Sequence, residues 1–147
     1  MCNKFIWLAV VSSGLFVAPT ATLANQPEAQ VAYQMPMANK ALLTDIVAVP
    51  GSALVAIGER GHILVSHDAN TWQQATVPVQ ANLNSVYFIS KQQGWAVGHD
   101  ASILHTLDGG LSWQLQHFAP ETDKPLFDVY FSDAQNGIAV GAYGLFY

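Results

Sequence analysis

A repeat of about 40 residues governs the chain from Leu43 onward. The segment LTDIVAVPGSALVAIGERGHILVS, residues 43–66, lies over LNSVYFISKQQGWAVGHDASILHT, residues 83–106, at a constant offset of 40 with no gap. Leu43 meets Leu83, Ala56 meets Ala96, Gly58 meets Gly98, and Ile63-Leu64 meets Ile103-Leu104. A third copy, LFDVYFSDAQNGIAVGAYGLFY at residues 126–147, follows at an offset of 43, so that Val86-Tyr87-Phe88 recurs as Val129-Tyr130-Phe131. The repeats are therefore 43–82, 83–125 and 126–147. Helical repeats of this length would space apolar residues at three and four, whereas short strand-like runs at this period indicate the blades of a β-propeller.

Each copy reads as four strands, and the middle one predicts Leu83–Ile89, Trp95–Gly98, Ser102–Thr106 and Ser112–His117. The fold class is all-β, with four-stranded antiparallel blades. Glycines in the connection between second and third strands, Gly58 and Gly61 in the first copy and Gly141 and Gly144 in the third, permit the backbone angles of a tight hairpin. Apolar and polar residues alternate poorly in Val86-Tyr87-Phe88-Ile89, as expected of a sheet covered on both faces by neighbouring sheets.

Ahead of the repeats, Lys4 precedes an apolar run from Phe5 to Ala18, then Pro19, and Thr22-Leu23-Ala24 offers small residues for cleavage. Residues 1–24 thus read as a secretory signal peptide, too short and wrongly flanked for a membrane span. The sole cysteine, Cys2, is badly placed for lipid attachment, and cleavage would leave a chain without thiol chemistry or Cys-based zinc sites. Residues 25–42, rich in Gln, Pro, Ala and Met, read as a linker or extended lead-in. The net charge of −5, with Arg60 the single arginine, argues against a nucleic-acid partner, which would need clustered cations.

The densest motif is Thr106-Leu107-Asp108-Gly109-Gly110-Leu111-Ser112-Trp113, which matches the Asp-box pattern Ser/Thr-x-Asp-x-Gly-x-Ser/Thr-Trp in full. Asp108 is suited to accept hydrogen bonds from the amides of its own turn, Gly110 to supply a positive φ, and Trp113 to pack beneath the hairpin. Ser66, Asp68, Asn70 and Trp72 form a degenerate version one residue shorter, with Asn70 where a left-handed glycine is preferred.

The stretch GWAVGHDASILHTLDGGLSW resembles the repeat of the photosystem II stability/assembly-factor family, whose members share Asp boxes with sialidases. The likeness covers Leu43 to Tyr147, and the wording of the three copies is similar to an exported subgroup from non-photosynthetic proteobacteria. This resemblance implies a propeller without catalytic machinery and a role in assembling or stabilising a membrane protein complex, so the expected partner is a protein, a subunit of such a complex. It implies a periplasmic location, or the thylakoid lumen in a photosynthetic source, and in non-photosynthetic bacteria the complex could be a transporter. Photosynthetic members are associated with an arginine-lined binding face, of which this sequence offers only Arg60.

The competing reading is a sialidase-like glycosyl hydrolase. Sialidases hold a substrate carboxylate with three arginines, a requirement that one arginine cannot meet. Asp45 and Asp128 align with Ser85 and suggest strand-edge or turn capping. His62, His67, His99, His105 and His117 show no ligand spacing, so no metal, cofactor or small-molecule substrate is expected. The third copy stops at Tyr147 within its third strand, and a closed propeller needs at least about four blades. About two and a half blades leave an incomplete ring, the N-terminal fragment of a larger propeller whose missing blades come in cis or in trans; the remaining alternative is a non-functional truncated fragment.

Overall fold

The computed structural model describes residues 28–147, so the expected signal peptide over residues 1–24 lies outside the described residues. Three antiparallel sheets follow one another along the chain. The first holds β1 (Leu43–Ala48), β2 (Leu54–Gly58), β3 (Ile63–Ser66) and β4 (Gln73–Gln74) in sequence order. The second repeats it with β5 (Leu83–Phe88), β6 (Gly94–Gly98), β7 (Ile103–Thr106) and β8 (Gln114–His117). The third holds β9 (Leu126–Phe131) and β10 (Gly137–Gly141). Beyond β10, Val140 bridges Phe146, and Ala139 and Tyr147 exchange both backbone hydrogen bonds at 3.0 Å, so Leu145–Tyr147 runs along the β10 edge.

The first strands of successive sheets lie against each other, β1 on β5 and β5 on β9, and this stacks the sheets face to face. Two cores result. Between the first and second sheets, Val55, Ile57, Ile63 and Val65 meet Leu83, Val86, Phe88, Ala96 and Trp113. Between the second and third, Trp95 and Val97 meet Leu126, Val129 and Ala139. A strand presents alternate residues to opposite faces, so a sheet between two others needs apolar residues at both sets of positions. This accounts for the uninterrupted burial of Gly94–Gly98.

Alternation from Asp128 onward, with a bulge that leaves Phe127 as an extra residue between Leu126 and Asp128, divides the aromatic set of the third sheet. Val129 and Phe131 face back, and Phe131 lies flat on Trp95 with ring centroids 3.5 Å apart and planes 6° from parallel. Phe127, Tyr130, Ile138 and Val140 are exposed on the opposite face.

Two details of the turns differ from the sequence expectation. Gly58 and Gly141 have extended backbones, with φ of −175° and −152°, so they are not there for a hairpin angle. A Cβ at Gly58, Gly98 or Gly141 would fall on the carbonyl oxygen of Leu42, Asn82 or Pro125 respectively, where the lead into the first strand crosses the end of the second. The positive φ values belong to the next residues, Arg60 and Gly61, Asp100 and Ala101, Tyr143 and Gly144. The fourth strand of the second sheet also begins at Gln114 and not Ser112, because the backbone around Ser112 pairs with Thr76 of the preceding sheet.

The described part of the lead-in is tied down. Ala32 N–H donates to Val77 O at 2.8 Å, the Gln34 amide donates to Ala75 O at 3.0 Å, and Ala32 is buried in the first core.

Candidate functional site

The turn from Thr106 to Trp113 joins β7 to β8 at the edge of the second sheet. Gly109 and Gly110, at φ 78° and 95°, curl the chain back upon Asp108. The Asp108 carboxylate accepts from the Ser112 amide at 2.9 Å, the Ser112 hydroxyl at 2.5 Å and the Thr106 hydroxyl at 2.8 Å. The buried Thr106 oxygen accepts in turn from the Gly110 amide at 3.1 Å. Partial burial pushes the Asp108 carboxyl up, but the donors from Ser112, Thr106 and Leu111 together outweigh it and hold the group below the ordinary carboxylate value.

Trp113 anchors the turn from below. Its indole N–H donates to Gly110 O at 2.9 Å, and its ring meets Phe88 edge-on with centroids 6.1 Å apart. The turn also reaches outside its own hairpin: Thr76 N–H donates to Leu111 O and Trp113 N–H to Thr76 O, both at 3.1 Å, while Gly109 N–H donates to Gln92 O at 2.9 Å. It therefore clamps the second sheet to the first.

In the shorter turn of the first sheet, Asp68 accepts from the Thr71 and Asn70 amides at 2.7 and 2.8 Å and from the Thr71 and Ser66 hydroxyls at 3.1 and 3.2 Å. The Thr71 amide, followed by that of Asn70, brings the Asp68 carboxyl down to about 2. The left-handed residue is Ala69, at φ 61°, and not Asn70. Deleting one residue moves the tight bend back by one position, and the Asn70 side chain instead donates to Asp68 O at 3.0 Å. Trp72 is half-buried beside Leu43, Ile46 and Ala56, on the face of the first sheet turned away from the second.

A second polar set, of which the sequence suggests strand-edge or turn capping for Asp45 and Asp128, links sheet to sheet. Asp45 accepts from the Ile46 amide at 2.8 Å and, across the interface, from Val86 N–H at 3.0 Å. One sheet further on, the Ser85 hydroxyl donates to Asp128 at 2.8 Å, and Asp128 accepts from its neighbour Val129 N–H at 2.9 Å. The Thr44 hydroxyl donates to Leu83 O at 2.6 Å and the Asn84 amide to Leu126 O at 2.7 Å. Thr44 and Asn84 hold one equivalent position of the first strands, and Asp45, Ser85 and Asp128 hold the next. Their signal in the sequence was a polar residue recurring at the repeat period inside apolar runs.

Asp133 caps the β9–β10 turn, accepting first from the Asn136 side chain and then from the Gln135 and Asn136 amides, and is lowered as a result.

The histidines do not converge. His62 is buried with neither ring nitrogen partnered, and burial lowers its pKa. His67 Nδ1 lies 3.2 Å from Ser52 O, His105 stacks on Trp95 beside the Gln93 amide, and His117 Nε2 lies 2.9 Å from the Tyr147 hydroxyl. Among the described residues no group of three metal-ligating side chains forms.

Comparison with known proteins assigns this arrangement. The family described as photosynthesis system II assembly factor YCF48 matches residues 64–147. Photosystem II stability/assembly factor HCF136, chloroplastic, of Oryza sativa subsp. japonica is 32% identical over 120 residues, covering 72% of this chain and 29% of that protein. Photosystem II assembly protein Ycf48 of a Synechococcus strain is 37% identical over 67 residues, covering 44% of this chain and 20% of its own length. The chain thus spans less than a third of these relatives. A solved structure described as YCF48 bound to D1 peptide superposes with a TM-score of 0.63 over 84% of this chain and 41% of that one, at 22% identity, and gives the fold as a β-propeller. With the match running from β3 through the Asp108 turn to Tyr147, the chain belongs to the photosynthesis system II assembly factor YCF48 family.

Proposed function

We propose that this chain acts as a non-catalytic, exported β-propeller scaffold that binds a subunit of a membrane protein complex and assists its assembly or stability. The observation that carries this reading is the use made of the carboxylates. A general acid needs its pKa raised toward the working pH. Asp68, Asp108 and Asp133 are instead lowered by donors of their own turns, and Asp45 and Asp128 are occupied by backbone amides or a neighbouring hydroxyl. Such groups hold backbone in place, and the Thr106–Trp113 turn is read as a structural staple.

Family membership supports the assembly role, and the relative whose structure is described as bound to D1 peptide supports a peptide segment of a membrane subunit as the partner class. Two relatives named as lipoproteins and one named as chloroplastic fit a location reached by export, for which the Lys4 to Ala24 region supplies the signal. In a non-photosynthetic source the complex would be another assembly, a transporter among them.

The test is in-cell photocrosslinking of the full chain, with membranes solubilised and adducts identified by mass spectrometry, alongside quantitation of the crosslinked complex in a deletion strain. The expected result is a defined membrane subunit whose complex falls in abundance without the chain. Turnover of sialosides by the purified protein would overturn the reading in favour of a glycosyl hydrolase.

A further inference from the structure

The lead-in lies on the first sheet as an extended peptide lies in a receptor. Gln74 grips two of its backbone groups at once: the side-chain oxygen accepts from Met35 N–H and the side-chain amide donates to Tyr33 O, both at 2.8 Å. The Gln80 amide donates to Val31 O at 3.1 Å, and Ala32 N–H donates to Val77 O at 2.8 Å. Between residues 30 and 37 only the Ala32 side chain is buried, and it lies against Gly61, where a Cβ would press on its methyl. Val31 and Tyr33 alternate to the other side and are 60% and 67% exposed. The groove therefore reads main chain and one small side chain. Neither residues 29–37 nor residues 74–80 carry a charge. The second sheet has no such clamp: opposite Leu104, Leu115 stands where Gln74 stands opposite Leu64. Asp123 takes the place of Gln80, since the carbonyls that follow, of Lys124 and Ala81, accept from Ala101 N–H and Gly61 N–H. The two glutamines are thus no part of the repeat and serve the added segment.

We propose that residues 74–80 form a receptor for an extended, uncharged polypeptide segment with Ala, Gly or Ser at its buried position, and that the lead-in occupies this receptor in cis until a partner's segment of that kind replaces it. Main-chain hydrogen bonds supply the binding and the pocket for one small side chain supplies the selectivity. Exchange is easy because the departing lead-in gives up hydrogen bonds that the incoming main chain remakes in kind, while its large side chains already face water. The proposal rests on the geometry of the clamp and is independent of the functional reading above.

The probe is a synthetic peptide of residues 28–37 with fluorescein at its N-terminus, titrated into the full chain and read by fluorescence anisotropy. The native chain should bind it weakly, because its own lead-in competes at a high effective concentration. Ala32→Arg in the chain puts a charge where the buried methyl sits and expels the lead-in, so the peptide should bind at least about tenfold more tightly. Adding Gln74→Leu, the residue type that the second sheet has there, should reverse this gain, and a peptide carrying Ala32→Arg should bind neither chain. No gain in the Ala32→Arg chain, or equal binding of the two peptides, would overturn the proposal. Hydrogen exchange of the native chain decides the matter however that variant folds. Ala32 N–H should exchange at least about tenfold faster than the amides of Val55 and Ile57 in the core, since the lead-in leaves without unfolding the sheets. Protection of Ala32 equal to theirs would mean a lead-in that opens only with the whole molecule, and the proposal would fall.

Discussion

Asp108 and Trp113 stabilise one turn by different physics, and their substitutions should separate. Asp108 lies at the surface, so amides released by Asp108→Ala regain water, and the cost should be about 1–2 kcal/mol, below that of a buried charged hydrogen bond. Trp113→Ala empties space in the core between two sheets and should cost about 3–5 kcal/mol. Urea denaturation of the two variants gives the ordering. Asp68 supplies a pH test: its lowered pKa means that its stabilising charge is fully present above the ordinary carboxylate value near 3.8 and is lost only as the pH falls through about 2. Carbon-detected NMR titration should place its midpoint there. His62 is buried with neither ring nitrogen partnered, and burial depresses its pKa, with Glu59 raising and Arg60 lowering it to smaller extents. The unfolded chain then binds the proton more readily, so stability begins to fall as the pH drops below about 6.5. His62→Leu should lose less stability than the native chain between pH 7 and pH 5, as measured by thermal melts at the two values.

At the scale of strands and turns, the repeat made the four-strand pattern legible because burial on both faces follows from stacking sheets. The Thr106–Trp113 turn was legible because its pattern encodes local hydrogen bonds. The purpose of the glycines was less so, since sequence position alone does not distinguish a residue that needs a positive φ from one that needs an absent Cβ. Gly58, Gly98 and Gly141 are of the second kind, and Gly144 of the first. Gly98→Ala would drive a Cβ into the Asn82 carbonyl and should cost more than about 3 kcal/mol, as backbone must move. Gly144→Ala meets nothing within 4 Å and should cost only the left-handed penalty of about 1–2 kcal/mol. Differential scanning calorimetry of the pair distinguishes the two causes. The sheet-to-sheet role of Asp45, Ser85 and Asp128 was hidden for a related reason: their partners are one repeat away, and a linear reading assigns a short polar side chain to its nearest backbone.

For the whole molecule, the decisive feature is an asymmetry between the faces of the third sheet. Its inner face is packed on Trp95 and Val97, while Phe127, Tyr130, Ile138 and Val140 stand 44–55% exposed on the outer one. The corresponding residues of the second sheet, Asn84, Tyr87, Trp95 and Val97, are covered or half-covered by the third, so the repeat places apolar side chains where a neighbouring sheet belongs. A contiguous apolar surface of this kind drives association in water. Head-to-tail contact suits it, because Leu43, Ile46 and Trp72 on the first sheet occupy the positions through which the second sheet packs on the first. The chain as it stands should therefore self-associate, in a manner that depends on concentration. Ile138→Thr combined with Val140→Thr removes exposed apolar area and leaves the Tyr87–Tyr130 ring contact in place, so the melt should change little. The association constant should fall at least about tenfold, equivalent to about 1.4 kcal/mol. Sedimentation velocity over a concentration series reads the result, and a native chain that remains monodisperse and monomeric throughout would show that these side chains satisfy one another without a covering sheet.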